Sequence, residues 1–224
     1  MIKQRIIKIA ILLTIINSMK MEFCKAQSTG FGMGSVVGIG QVNMTAPGLG
    51  TVNPKIQYTV GATSMYKFNK MFGVGIDIVG TSKGGFVNGS ENAGLPSQTY
   101  KFKETYSMID VEVPVIAQLY LGNDKLSFNA LAGAGMNFNI YAASKRVYED
   151  ENRNSNYGYS GKGLNNINPT NLSYTFGIGL TAKNGGDYYY VHFRRNGALS
   201  PMGTFNGQNA YYGSFNLTFG YLFY

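Results

Sequence analysis

Ile109-Asp110-Val111-Glu112-Val113-Pro114-Val115-Ile116-Ala117-Gln118-Leu119 sorts by parity into two unlike faces. The odd positions, Ile109, Val111, Val113, Val115, Ala117 and Leu119, are unbroken hydrocarbon, while the even ones include Asp110, Glu112 and Gln118. A strand sends successive side chains to opposite faces, so this spacing specifies β structure with one wholly apolar side. On a helix the same residues would scatter charge around the whole circumference.

The alternation recurs along the chain. Phe72, Val74, Ile76 and Ile78 oppose Gly73, Gly75 and Asp77; Leu126, Phe128, Ala130, Ala132, Ala134, Met136, Phe138 and Ile140 oppose Ser127, Asn129, Gly133, Gly135, Asn137 and Asn139, with Leu131 an apolar exception on the polar side. Leu172, Tyr174, Phe176, Ile178 and Leu180 repeat it, as do Tyr189, Val191 and Phe193, and then Phe215, Leu217, Phe219, Tyr221 and Phe223. Two weaker copies come earlier: Phe31, Met33, Val37 and Ile39 against Gly32, Gly34, Gly38 and Gly40, and Ile56, Tyr58, Val60 and Ala62 against Gln57, Thr59, Gly61 and Thr63. Eight such segments predict an all-β fold, an eight-stranded antiparallel up-and-down transmembrane β-barrel.

A soluble sandwich or lipocalin-like cup also alternates, but it turns its apolar side inward and a charged side to water. Here the polar side is mostly Gly, Ser, Thr and Asn, a poor solvent face and a suitable lining for a narrow lumen. Tyr58, Tyr66, Tyr120, Tyr141, Tyr174, Tyr189 and Tyr221 bracket the segments as interfacial girdles would. Short turns at Asn69-Lys70, Gly122-Asn123-Asp124-Lys125 and Asn184-Gly185-Gly186-Asp187 alternate with longer polar links at about 43–55, 82–98, 144–171 and 196–209. That order puts both termini at the short-turn end, expected to be periplasmic.

Lys3 and Arg5 precede a mostly apolar stretch at 6–16, and Cys24-Lys25-Ala26 places small residues where a signal peptidase reads. Residues 1–26 are therefore expected to be a cleavable signal peptide and 27–224 the outer-membrane barrel domain. The apolar run is too short for the roughly 20 residues of a spanning helix. Met21-Glu22-Phe23 lacks the small apolar residues that acylation of Cys24 requires. Cleavage after Ala26 removes the one cysteine, and His192 is the sole histidine, so thiolate and His-rich metal sites are excluded and no cofactor is expected. Of the formal charge of +8, half belongs to the leader (Lys3, Arg5, Lys8, Lys20 and Lys25 against Glu22). The rest is dispersed without a basic stripe interleaved with aromatics, which argues against nucleic acid as a partner.

The segment 109–120 resembles the "L-E-[IV]-P-[LV]-L" strand of the PorT-like outer-membrane β-barrel family of Bacteroidota. Leu131-Ala132-Gly133-Ala134-Gly135-Met136 is similar to that family's next strand, 73–85 to the strand and loop before it, and Gly220-Tyr221-Leu222-Phe223-Tyr224 to its closing strand. The resemblance implies an integral outer-membrane protein without catalytic residues, with some members linked to type IX secretion and gliding. The implied partners are outer-membrane lipids, the outer-membrane insertion machinery and secretion-complex proteins.

Inward positions collect Lys67, Asp77, Asp110, Glu112, His192 and Arg194. Buried charges need partners, so these six are expected to form an ion-pair and hydrogen-bond network that closes the lumen, with Arg194 reaching across toward Asp110 and Glu112. The alternative is a narrow transport barrel, or an outer-membrane hydrolase using His192 as base. Tyr157 and Tyr159, among glycines in the longest link, form the candidate partner loop, the alternative being a loop that merely covers the barrel mouth. Asp150-Glu151 reads as a solvated loop tip.

Overall fold

The computed structural model describes residues 30–46, 51–92, 99–123, 125–149, 156–162, 166–205 and 207–224. The expected signal peptide, with Cys24, and the Asp150-Glu151 tip lie outside them. The strands are β1 (Gly30–Thr45), β2 (Lys55–Lys67), β3 (Phe72–Asn92), β4 (Thr99–Gly122), β5 (Leu126–Glu149), β6 (Asn156–Lys162), β7 (Thr170–Asn184), β8 (Asp187–Ala198), β9 (Gly203–Phe205) and β10 (Gln208–Phe223). Eight of them pair in the order β1-β2-β3-β4-β5-β7-β8-β10, and β1 pairs β10 from Met33↔Phe223 to Thr45↔Tyr211, closing the ring. Every ladder is antiparallel. The fold is the eight-stranded up-and-down barrel that the alternation specifies.

Side-chain direction follows parity around the ring. Val37, Tyr58, Ile78, Val115, Phe176, Ile178, Phe193, Leu217 and Phe219 are exposed on the outside, while Gln57, Thr81, Asn129, Thr181 and Thr218 are buried within. Val111 and Val113 also face out, half-covered by their neighbours. Tyr120 departs from the expected girdle: it shares the parity of Gln118 and is buried in the lumen.

The longer links also depart from expectation. β3 runs on to Asn92 and β4 and β5 have 24 residues each, about twice the 9–11 that cross a bilayer. Their far ends, with β6 on the edge of β5, form a sheet that rises beyond the ring. A register shift next to Ile109/Asp110, where Tyr141 and Asn139 face successive β4 residues, marks the bulge from which it departs. Much of 144–171 and 82–92 is thus strand, and β9 occupies part of 196–209, because backbone in these polar links pairs with neighbouring strands. Tyr157 and Tyr159 hold positions on β6 opposite Tyr148 and Arg146.

The short connections behave as turns. Asn69 Oδ1 accepts from Met71 and Phe72 N–H at 2.8 Å each, and Asn123 Oδ1 accepts from Lys125 N–H at 3.0 Å and Leu126 N–H at 2.8 Å, so each asparagine side chain satisfies turn donors. In the third turn Gly185 has φ +66, the left-handed region that glycine adopts at no steric cost. Gly185→Val is expected to cost about 1–2 kcal/mol, read by chemical denaturation, whereas Gly185→Asn costs a few tenths.

Candidate functional site

The lumen is layered: two apolar clusters flank a polar middle, and a vestibule holding Lys67 lies at the terminal end. Toward the long-link end, Val42, Met44, Ala46, Tyr106, Met108, Met202, Phe205, Ala210 and Tyr212 form an apolar cluster. Residues from β9 and its flanks thereby cap the mouth, and Tyr106 meets Phe205 edge to face at 5.5 Å. Burial, then the adjacent Glu104 carboxylate, pushes the Tyr106 hydroxyl up to about 12, so the cap carries no charge there. Nearer the termini Val36, Met65, Val79, Tyr188, Tyr190 and Leu222 form a second cluster. The expectation of a polar interior is corrected to this extent: valine, methionine and tyrosine at inward positions of β1, β2, β3, β8 and β10 meet across a narrow ring and exclude water.

Between these clusters lie five of the six charged residues singled out from the sequence, in two separate groups. In the first, Arg194 Nη1 donates to Asp77 Oδ2 at 2.6 Å across the barrel. Arg194 therefore pairs with Asp77 and not, as expected, with Asp110 and Glu112. His192, at 1 % exposure, stacks on Tyr190 at 4.4 Å. Its Nδ1 lies 3.2 Å from Arg194 Nη2 and its Nε2 3.0 Å from the Asn129 amide. A guanidinium only donates, so Nδ1 is the acceptor toward Arg194. Asn129 Nδ2 donates to the Thr181 hydroxyl at 2.5 Å, and Asn129 Oδ1 accepts from the Ser127 hydroxyl at 3.3 Å.

The second group is organised by a residue outside the expected set. Lys83 Nζ lies 2.8 Å from Asp110 Oδ2 and 2.6 Å from Glu112 Oε1, and 3.6 Å from the centroid of the Tyr212 ring. Asn139 Nδ2 donates to the other Asp110 oxygen at 2.9 Å, and Thr81 Oγ1 donates to Glu112 at 3.2 Å. Ser82-Lys83-Gly84-Gly85 reads as loop by composition, yet Asp77, Val79, Thr81 and Lys83 share one parity and all are buried. Continuing the alternation past Ile78 is the signal that finds this lysine.

Lys67 stands apart from both groups. Its ammonium lies 4.2 Å from the Tyr120 ring centroid and 3.9 Å from that of Tyr188, a cation–π arrangement. With Lys70, Asn123 and Thr181 these residues line a vestibule of about 300 Å³ at the terminal end. Deeper, the free space shrinks to about 10 Å³ beside Met65, Tyr190 and Leu222, and to about 20 Å³ beside Asp77, Glu112, Arg194 and Asn216. The latter accommodates about one water.

No protein-family model and no curated protein matches the chain. Among solved structures, it is similar to Ail, the attachment invasion locus protein of Yersinia pestis, at 16% identity over 87% of this chain and 99% of that one, with a TM-score of 0.38. It is also similar to Neisserial surface protein A, at 11% identity over 86% and 96% of the two chains with a TM-score of 0.42. Outer membrane protease OmpT from Escherichia coli is a third, at 9% identity over 86% and 94% with a TM-score of 0.36. At these identities and TM-scores the reading of function rests on this chain's own residues.

Proposed function

We propose that the chain is an integral bacterial outer-membrane barrel with a sealed lumen, serving a structural, assembly or partner-binding role and not catalysis. The observation that carries this reading is the belt of exposed Ile, Leu, Val and Phe around a ring with no open edge. A surface of that kind is costly in water and favourable in lipid, and closure satisfies every ladder hydrogen bond the bilayer core cannot. The long-link end lies outside the cell and both termini in the periplasm, since long connections belong to the outer face of such barrels. Outer-membrane lipids and the insertion machinery are then obligatory partners. The resemblance of 109–120 to the PorT-like strand supports placing the role in type IX secretion, with secretion-complex proteins as partners and the β5–β6 hairpin carrying Tyr157 and Tyr159 as a contact.

Lys67, Asp77, Asp110, Glu112, His192 and Arg194, together with Lys83, act here as lumen-closing charges. A transport barrel would need a continuous path, against which stand the two apolar clusters and spaces of about 10 and 20 Å³. A hydrolase would need His192 accessible, against which stands its 1 % exposure. Planar-bilayer recording of the refolded protein is expected to give no stable conductance steps. Reproducible ion-passing channels would contradict the sealed lumen while leaving membrane insertion intact.

A further inference from the structure

We infer that the outward face of the sheet rising above the belt binds the phosphate groups of the outer-leaflet glycolipid. This rests on the membrane reading and orientation just proposed. The ladders place Ser107, Thr105, Lys103 and Lys101 of β4 on the same side as the lipid-facing Ile109. Across the bulge they pair with Ala143, Lys145, Val147 and Glu149 of β5, and Ala143 in turn with Lys162 of β6. By register this face carries Lys101, Lys103 and Lys145. Glu104 has opposite parity and accepts from Arg146 Nη2 at 2.7 Å on the inner face. The Glu104–Arg146 pair thus faces inward and the three lysines outward.

The cations sit where such phosphates lie. Ile140 and Tyr141, both exposed, end the belt on β5. Lys145 is four residues farther along, about 10 Å higher once strand rise and tilt are combined. Lys101, Lys103 and Lys145 are exposed, and the Lys103 ammonium lies 4.3 Å from the Phe86 ring centroid, its stem on apolar surface and its head directed to the interface. Clustered lysines beside a membrane are drawn to anionic lipid. A phosphorylated glycolipid supplies that charge within reach of side chains on the barrel's outer wall, whereas an acidic protein would have to displace lipid to reach this face.

The test uses the refolded protein in phosphatidylcholine nanodiscs carrying phosphorylated or enzymatically dephosphorylated lipid A. Amine-reactive labelling of Lys101, Lys103 and Lys145, read by mass spectrometry, is expected to be at least threefold slower with the phosphorylated lipid. The K101Q/K103Q/K145Q variant is expected to retain about tenfold less lipid A through a detergent wash, and K101R/K103R/K145R to retain it. Equal labelling in both discs, or full retention by the glutamine variant, overturns the inference while leaving the inserted barrel in place. Failure to form a compact, heat-modifiable barrel in any disc overturns the membrane reading and this inference together.

Discussion

Replacing Lys83 with methionine is expected to lower the stability of the barrel by about 3–5 kcal/mol, the cost of removing one partner from a buried ion pair. The volume is nearly conserved, so packing is not the cause. Lys83 is the cation within 3 Å of both Asp110 and Glu112, and all three side chains are at 6 % exposure or less. Without it two carboxylates remain side by side, held by one hydrogen bond each from Asn139 and Thr81. Urea unfolding in detergent, followed through tyrosine fluorescence in a chain with 17 Tyr and no Trp, measures the loss. Adding Asp110→Asn and Glu112→Gln to Lys83→Met is expected to restore most of it, since the three groups act as one unit. A Lys83→Met protein as stable as the parent would show that the acids find other partners and that Lys83 does not organise the lumen.

Gly34→Val is the second large effect, and it acts on closure. Gly34 pairs with Leu222 at the seam between the first and last strands. A Cβ there would run into the Tyr221 carbonyl oxygen and lie 2.6 Å from its carbon and 3.0 Å from Leu222 Cα. Backbone cannot yield as a flexible side-chain end does, so the strands must separate. The cost is about 3 kcal/mol or more, beyond ordinary overpacking. Because no turn joins β1 to β10, a weakened seam also leaves two unpaired edges open to aggregation. Gly186, with nothing within 4 Å of an added Cβ, is the control: Gly186→Ala is expected to refold normally. The compact, heat-modifiable band in unboiled electrophoresis reads both variants, and a full yield of it from Gly34→Val would mean that the seam has room for a side chain at this position.

Much of this architecture is legible in the sequence because a barrel strand encodes its two environments by parity alone. Ile109 to Leu119 gives direction, the glycines and small polar residues of β1, β5 and β7 give the lumen, and the asparagine turns give the hairpins. What parity does not give is partner choice. Asp77, on β3, and Arg194, on β8, meet because the ring carries them to facing walls, and nothing local distinguishes that pairing from Arg194 with Asp110. Lys83 and Tyr120 were readable by phase, but composition pulled one toward a loop and the other toward a girdle. The apolar clusters at either end of the lumen escape notice for a different reason. Each assembles single residues from several strands, such as Val36, Met65, Val79 and Leu222, and no one strand carries enough of them to declare an inner core. The protruding sheet is likewise hidden, because its strands are polar and continue the ladders beyond the belt.

The outward direction of the apolar parity is the claim on which the rest stands, and β7 offers a direct measurement. Spin labels placed singly at 175–180 in a cysteine-free background, with the protein in bilayers, report collision with oxygen, which concentrates in lipid, and with a water-soluble nickel complex. Oxygen accessibility is expected to peak at Phe176, Ile178 and Leu180 and to fall at Thr175, Gly177 and Gly179, with little nickel contact in the belt. The reverse phase, or nickel access at Phe176, Ile178 and Leu180, would place those side chains in a core or in water and contradict the membrane barrel.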